Sequence, residues 1–253
     1  EVMGFLVGAA YGVRDLWFGD TWRMINAIQN ASERLQESVP RSLDVHSQLN
    51  RILHTLTGFA GITAESMRHD HAWVLLDFGR RLERASQQAQ LLEQTLVKPL
   101  SDTSEPLLVE ALLACSESLM AQRRRFRVSS QLHGALDLLV LDDRHPRSLA
   151  YQFERLQTRV DMLPHGHPRH SDPLADRYSA AQKLVLDAST SLKLANVTSL
   201  TQCNKRGDRD ELRLLLARLR SNVWQLSTEI TNTYFSHTPG ARQLAPVMQL
   251  PNA

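Results

Sequence analysis

Between residues 63 and 97, Leu75, Phe78, Leu82, Ala85, Ala89, Leu92 and Leu96 fall at helical spacing. At 3.6 residues per turn these side chains share one face, so the segment predicts a long helix with a continuous apolar stripe. Such a stripe has to be covered by other elements of the same kind, because no Val/Ile/Thr-rich run with period-two alternation offers a sheet. The chain is expected to be all-α.

The other segments follow the same logic. Gly and Pro, 11 and 10 of 253 residues, cluster between periodic stretches and mark their ends. Asp20 is placed to cap a helix that ends before Pro40. Arg41 or Ser42 starts the next, with Leu49, Ile52, Leu53 and Leu56 as its stripe and a stop near Gly58 and Gly61. The long helix comes after it and ends at Pro99. Ser104-Glu105-Pro106 then reads as a start, with Ser as cap, for a helix running toward the basic cluster at Arg123 to Arg127. A shorter helix through "LHGALDLLVL" leads to one whose first turn holds Pro146 and whose buried side is Leu149, Phe153, Leu156, Val160 and Leu163. After the loop "PHGHPRHSDP" come two more helices and, from Thr238, an irregular tail with Pro239, Pro246 and Pro251. Short connections favour antiparallel neighbours, so the expectation is a single bundle of about eight helices forming one domain over residues 1–253.

Composition narrows the function classes. Lys and Arg number 29 against 27 Asp and Glu, and a formal charge of +2 gives no general attraction to nucleic acid or to an anionic membrane. Cys115 and Cys203 stand far apart, which fits neither a CxxC site nor a disulfide framework. The longest apolar runs are too short to span a bilayer, and the opening "EVMGFLVGAAYGVRDLWFGD" lacks a basic flank, so a cytoplasmic location is expected. No HExxH, GxSxG, P-loop or GxGxxG occurs, and no cofactor is expected. His165, His167 and His170 share a loop without Cys or carboxylate partners at a recognised spacing, so no metal is expected either.

Chemistry is concentrated on two helical seams. In the first, Asp77 can reach Arg80 and Arg81 across one turn, and Glu83-Arg84 follows. Glu83 continues a partly apolar line through Ala72, Leu76 and Gly79, which points it at another helix, and a glycine at position 79 suits a close neighbour. In the second, Arg147, Tyr151 and Glu154 are three and four residues apart and Arg155 faces elsewhere. Two arrangements fit. In one, the Glu–Arg units oppose each other in an interhelical groove, each arginine neutralising the other's carboxylate, since buried arginine is tolerable only with partners. In the other, Arg80, Arg81 and Arg84 hold an anionic group while Glu83 orients an arginine or accepts from an amine.

The phrases "ESMRHDHAWVLLDFGRRLERA", "LDDRHPRSLAYQFERL" and "TNTYFSH", in that order, resemble the alpha-E family of bacterial all-helical proteins with an ER motif. The resemblance runs from about Val13 through His237. The family pattern also carries an N-terminal ER helix that this chain lacks, so a truncated start is expected. His69 and His145 stand where the family usually has Arg and Asn. The resemblance implies a circularly permuted ATP-grasp ligase as partner, separate or fused, with transglutaminase-like proteins in the same company. The function expected from it is an accessory or substrate-binding domain in peptide or amide-bond synthesis or peptide modification. The alternatives are an independent amide-transferring or hydrolysing enzyme using Glu83 as base, and a purely structural interaction bundle.

Overall fold

A computed structural model describes the backbone of residues 2–37, 42–126, 131–164 and 178–235. Every regular element among these residues is helical. They form two compact units, residues 1–73 and 74–253, and the division falls inside one helix, His71–Leu96.

The first unit contains α1 (Val2–Gly12), α2 (Gly19–Glu37), α3 (Ser42–Ser66) and the first turn of α4 (His71–Leu96). Ile25, Ile28 and Ala31 on α2 and Ile52 on α3 are buried, whereas Leu49 and Leu53 of the expected α3 stripe are exposed. Helix α3 runs straight through Gly58 and Gly61, where a stop was expected. A Cβ at Gly58 would lie 2.8 Å from the terminal methyl of Met24, so the glycine serves a close approach of α2 and α3 instead. The break comes after Ser66. Asp70 Oδ1 accepts the N–H groups of Ala72 at 3.0 Å and Trp73 at 3.3 Å, which satisfies the first turn of α4 and moves its start from 63 to 71. The Trp73 indole N–H reaches back to the Thr63 carbonyl at 3.0 Å, and the His69 ring stacks on Trp73.

The second unit holds the rest of α4 with α5 (Glu105–Cys115), α6 (Leu119–Arg125), α7 (Gln131–Leu136), α8 (Leu149–Met162), α9 (Ala180–Leu194), α10 (Val197–Thr201) and α11 (Asp210–Ile230). One turn of π-helix, Asp137–Leu141, extends α7, and another, Thr231–Phe235, extends α11. The α4 stripe is buried at Phe78, Ala85, Ala89, Leu92 and Leu96, and α8 buries Leu149, Phe153, Leu156 and Val160, with Leu163 just beyond its end. Helix α9 packs against both α8 and α11. Beyond the eight expected segments the structure adds α1 and the short α6 and α10, so the described residues contain eleven α-helices.

Three local expectations change. The helix from 104 does not run to 127, because the chain turns at Ser116–Ser118 with Glu117 at φ +52°, a left-handed backbone that a side chain disfavours. Ser104 precedes α5 without a side-chain capping bond. Pro146 lies before α8 and not in its first turn, since Ser148 is the N-cap: its Oγ accepts the Tyr151 N–H at 3.0 Å and donates to the Asp142 carbonyl. A hydroxyl competes for that role far better than the His145 ring. At the other end of α4, buried Arg209 acts as the terminator, donating to the carbonyls of Leu96 (side chain, 2.7 Å) and Val97 (backbone N–H, 3.0 Å) and to Glu105 at 2.7 Å. The loop after Pro164 and the tail from Thr238 lie outside the described residues. No described helix is long and apolar enough to cross a membrane.

Candidate binding site

The site is built around a buried carboxylate. Asp77 on α4 is only 3% exposed and takes Arg80 and Arg81 from its own helix and Arg159 from α8. Arg159 Nε donates to Oδ2 at 2.7 Å, Arg81 Nε lies 3.3 Å from Oδ1, and Arg80 bonds the same Oδ1. Burial raises the Asp77 pKa, but hydrogen bonds from Arg159 and Arg80 and the charges of Arg81 and Arg80 outweigh it and hold the carboxyl below its ordinary value. Arg159 was not among the residues singled out from the sequence. It continues the line Arg147, Tyr151, Arg155 by one more helical turn, and that four-residue spacing is the signal that could have found it.

A second cross-link lies one turn along. The Arg81 guanidinium sits 5.5 Å from the centre of the Tyr151 ring, and Arg155 sits 5.0 Å from the same ring. Positions rising along α4 therefore meet positions falling along α8, so the two helices run antiparallel. Arg155 does not face away from Tyr151, as expected above, but covers it, as residues four apart on a helix can.

The Glu–Arg pairs do not neutralise each other. Glu83 is exposed and accepts from the Gln87 amide at 2.7 Å, and Glu154 is exposed with no ion pair among the described residues. Arg147 instead pairs with Glu117. Space beside Gly79 is open, with nothing within 4 Å of a Cβ built there, so no close neighbour accounts for that glycine. Asp77, and not either glutamate, is the carboxylate that the arginines share.

Positive charge is in surplus here. Loss of hydration, then the like charges of Arg80, Arg81 and Arg147, push the Arg84 pKa down, against the single opposing pull of Asp77. Arginine stays charged regardless, and Arg84, exposed and without an ion pair among the described residues, is the guanidinium here that an incoming anion can reach. Arg84 and Arg147 open onto a cleft of about 280 Å³ whose other walls include Glu83, Gln88, Leu91 and Gln152. Gln152 is anchored by its amide N–H to the Pro146 carbonyl at 2.5 Å, which leaves its buried Oε1 without a partner. Gln88 Nε2 is buried and unpartnered on the same cleft, and the Nε atoms of Arg80, Arg81 and Arg155 make no hydrogen bond. Glu83 also lines a second cleft, with Leu82, Ser86 and Trp224, and the Trp224 side chain is 71% exposed. Among the described residues no group of three or more His, Cys, Asp or Glu could hold a metal ion; His165, His167 and His170 lie outside them.

Residues 2–235 match the sequence profile of Alpha-E, "a predicted alpha-helical domain with a conserved ER motif". The chain belongs to the Alpha-E family. Similar to this Alpha-E chain is the uncharacterized protein Rv2567 of Mycobacterium tuberculosis, 30% identical over 243 residues that cover 93% of the chain and 26% of the relative. The uncharacterized protein Mb2597 of Mycobacterium bovis has the same identity and coverage. The chain thus spans about a quarter of the length of these curated relatives. No solved structure matches it.

Proposed function

We propose that this Alpha-E chain is a substrate-binding accessory domain for a circularly permuted ATP-grasp ligase, acting in peptide or amide-bond synthesis or in peptide modification. The observation that carries the reading is the surplus of arginine around one buried carboxylate beside an open cleft. An ATP-grasp enzyme brings its own nucleotide site and activates a carboxylate as an acyl phosphate, so what a helical partner adds is a place to hold an anionic substrate. Asp77 orients Arg80, Arg81 and Arg159; Tyr151 carries Arg81 and Arg155; Arg84 and Arg147 face the ligand, with Glu83 at the rim and Glu154 on the outer surface of α8. A transglutaminase-like protein belongs to the same proposed assembly.

Glu83 as the general base of an independent enzyme is the weaker reading. A base of that kind is helped by burial that raises its affinity for a proton, and Glu83 stands exposed against Gln87.

The test is ADP release by the cognate ATP-grasp protein, fed amino acids and peptides, with and without this chain. Stimulation by the wild type that Arg84→Gln removes and Glu83→Gln retains is the expected result. Absence of both stimulation and physical association overturns the partnership.

A further inference from the structure

We infer that the cleft between α4 and the start of α8 binds the C-terminal end of a peptide, a carboxylate one residue away from a secondary amide. The inference rests on the cleft being a substrate site, as proposed above, and names what fills it.

The polar groups left over in the cleft define the ligand. Arg84 and Arg147 line it beside Glu83; Arg147 is paired with Glu117, whereas Arg84 has no ion pair among the described residues, so the first requirement is a negative group for Arg84. The second is a matched acceptor and donor: Gln88 Nε2 lacks an acceptor and Gln152 Oε1 lacks a donor, and both are buried on the same cleft. Gln152 cannot exchange its two atoms without breaking its bond to Pro146, so Oε1 remains the acceptor. A peptide amide supplies one group of each kind, its C=O to Gln88 and its N–H to Gln152.

Simpler ligands leave something unmet. Dianionic phosphate satisfies the arginines and Gln88 and can turn its one O–H to Gln152 Oε1, but it sets more negative charge beside Glu83 and has no apolar part to lie against Leu91 and Pro146. Acetate meets the arginines alone, while an amine meets Glu83 and Gln152 and is repelled by the guanidiniums. A buried polar atom without a partner is itself unfavourable, so a ligand that pairs both glutamines gains beyond the ion pair. Leu91 and Pro146 give the cleft an apolar wall for a side chain. Its 280 Å³ lies just under the roughly 300 Å³ at which drug-sized sites begin, which suits one or two residues and not a long segment.

The experiment is calorimetric titration of the chain alone, without any ligase, with N-acetyl-alanyl-alanine, its C-terminal carboxamide, acetate and inorganic phosphate. The peptide acid is expected to bind at least about tenfold more tightly than each of the other three, since the carboxamide lacks the charge, acetate lacks the amide, and phosphate lacks the apolar contact and adds charge beside Glu83. Arg84→Gln should weaken the peptide acid by about tenfold, and Gln88→Leu by about fivefold while leaving acetate unchanged. Circular dichroism is to check that both variants fold; Gln88 and Arg84 are chosen over the more deeply buried Gln152 for this reason. Equal affinity for phosphate or for the carboxamide overturns the inference, as does the absence of saturable binding by the peptide acid. Stimulation of the ligase without peptide binding removes this inference and leaves the accessory role; peptide binding without stimulation does the reverse.

Discussion

Arg159 Nε donates to Asp77 Oδ2 at 2.7 Å, joining helices α8 and α4 through residues 82 positions apart. Asp77 is the carboxylate that Arg80, Arg81 and Arg159 share, so its neutralisation leaves three guanidiniums facing each other in a partly buried seam. Asp77→Asn is expected to lower stability by about 3–5 kcal/mol, the range for breaking a buried ion pair by removing one partner. Urea unfolding of the two proteins checks this, and a loss under about 1 kcal/mol would show the arginines to be solvated individually.

The same carboxylate sets an acid limit. Its folded pKa lies below its unfolded value, so its stabilising contribution is fully present above about pH 4 and is lost as pH falls through the folded value. Melting temperature followed between pH 6 and acid should therefore fall more steeply in the wild type than in Asp77→Asn.

His145 works in the opposite chemical class but with the same slope. Burial, then the charges of Arg147 and Arg125, lower its pKa against the pull of Asp142, and its Nε2 lies 2.7 Å from the Oγ of fully buried Ser118. The folded state therefore prefers the neutral ring. Stability is expected to decline as pH drops below about 6.5, where the unfolded histidine takes up a proton and the folded one resists. His145→Asn should flatten the melting curve in that window, and an unchanged pH dependence would place His145 outside the balance.

Gly79 occupies the middle of α4 with open space where a Cβ would stand. Gly79→Ala should stabilise the chain by about 1 kcal/mol, the ordinary difference between these residues in a helix interior. Chemical denaturation measures it. Should the variant instead lose stability, something must approach α4 there.

Arg209 is 3% exposed and holds the last carbonyls of α4 together with Glu105. Arg209→Met keeps much of the bulk but strands Glu105 and the Leu96 carbonyl, and is expected to lose about 3 kcal/mol or more in unfolding experiments. Exposed Glu83 gives the contrasting case: Glu83→Gln should stay within about 0.5 kcal/mol of wild type.

Much of the fold was legible because a helix repeats its side chains on a fixed period. The buried apolar positions of α8, and Phe78, Ala85, Ala89, Leu92 and Leu96 on α4, follow from that repeat alone, while Leu75 and Leu82 of the same stripe are only part-buried. Boundaries were less legible. Gly58 reads as a stop, and only the nearness of Met24 shows why a helix keeps a glycine there; Asp70 and Ser148 take the caps because their oxygens reach free N–H groups, which periodicity does not register. At the site, Asp77 with Arg80 and Arg81 was legible as a local pairing one turn apart. The partner across the seam was not, since Arg159 meets Asp77 only through the packing of two distant segments. Nor could sequence show that Gln88 and Gln152 each keep a buried atom unpaired, because being unpaired is a property of the surroundings.

The contact of Arg81 with the Tyr151 ring differs mechanically from the leucine packing nearby. Close-packed apolar side chains interlock by shape, whereas a guanidinium lying over an aromatic face is held by its charge against the ring quadrupole. Arg81 is held from both sides, by the Asp77 carboxylate on α4 and the Tyr151 ring on α8, and so acts as a rivet through the seam between the two helices.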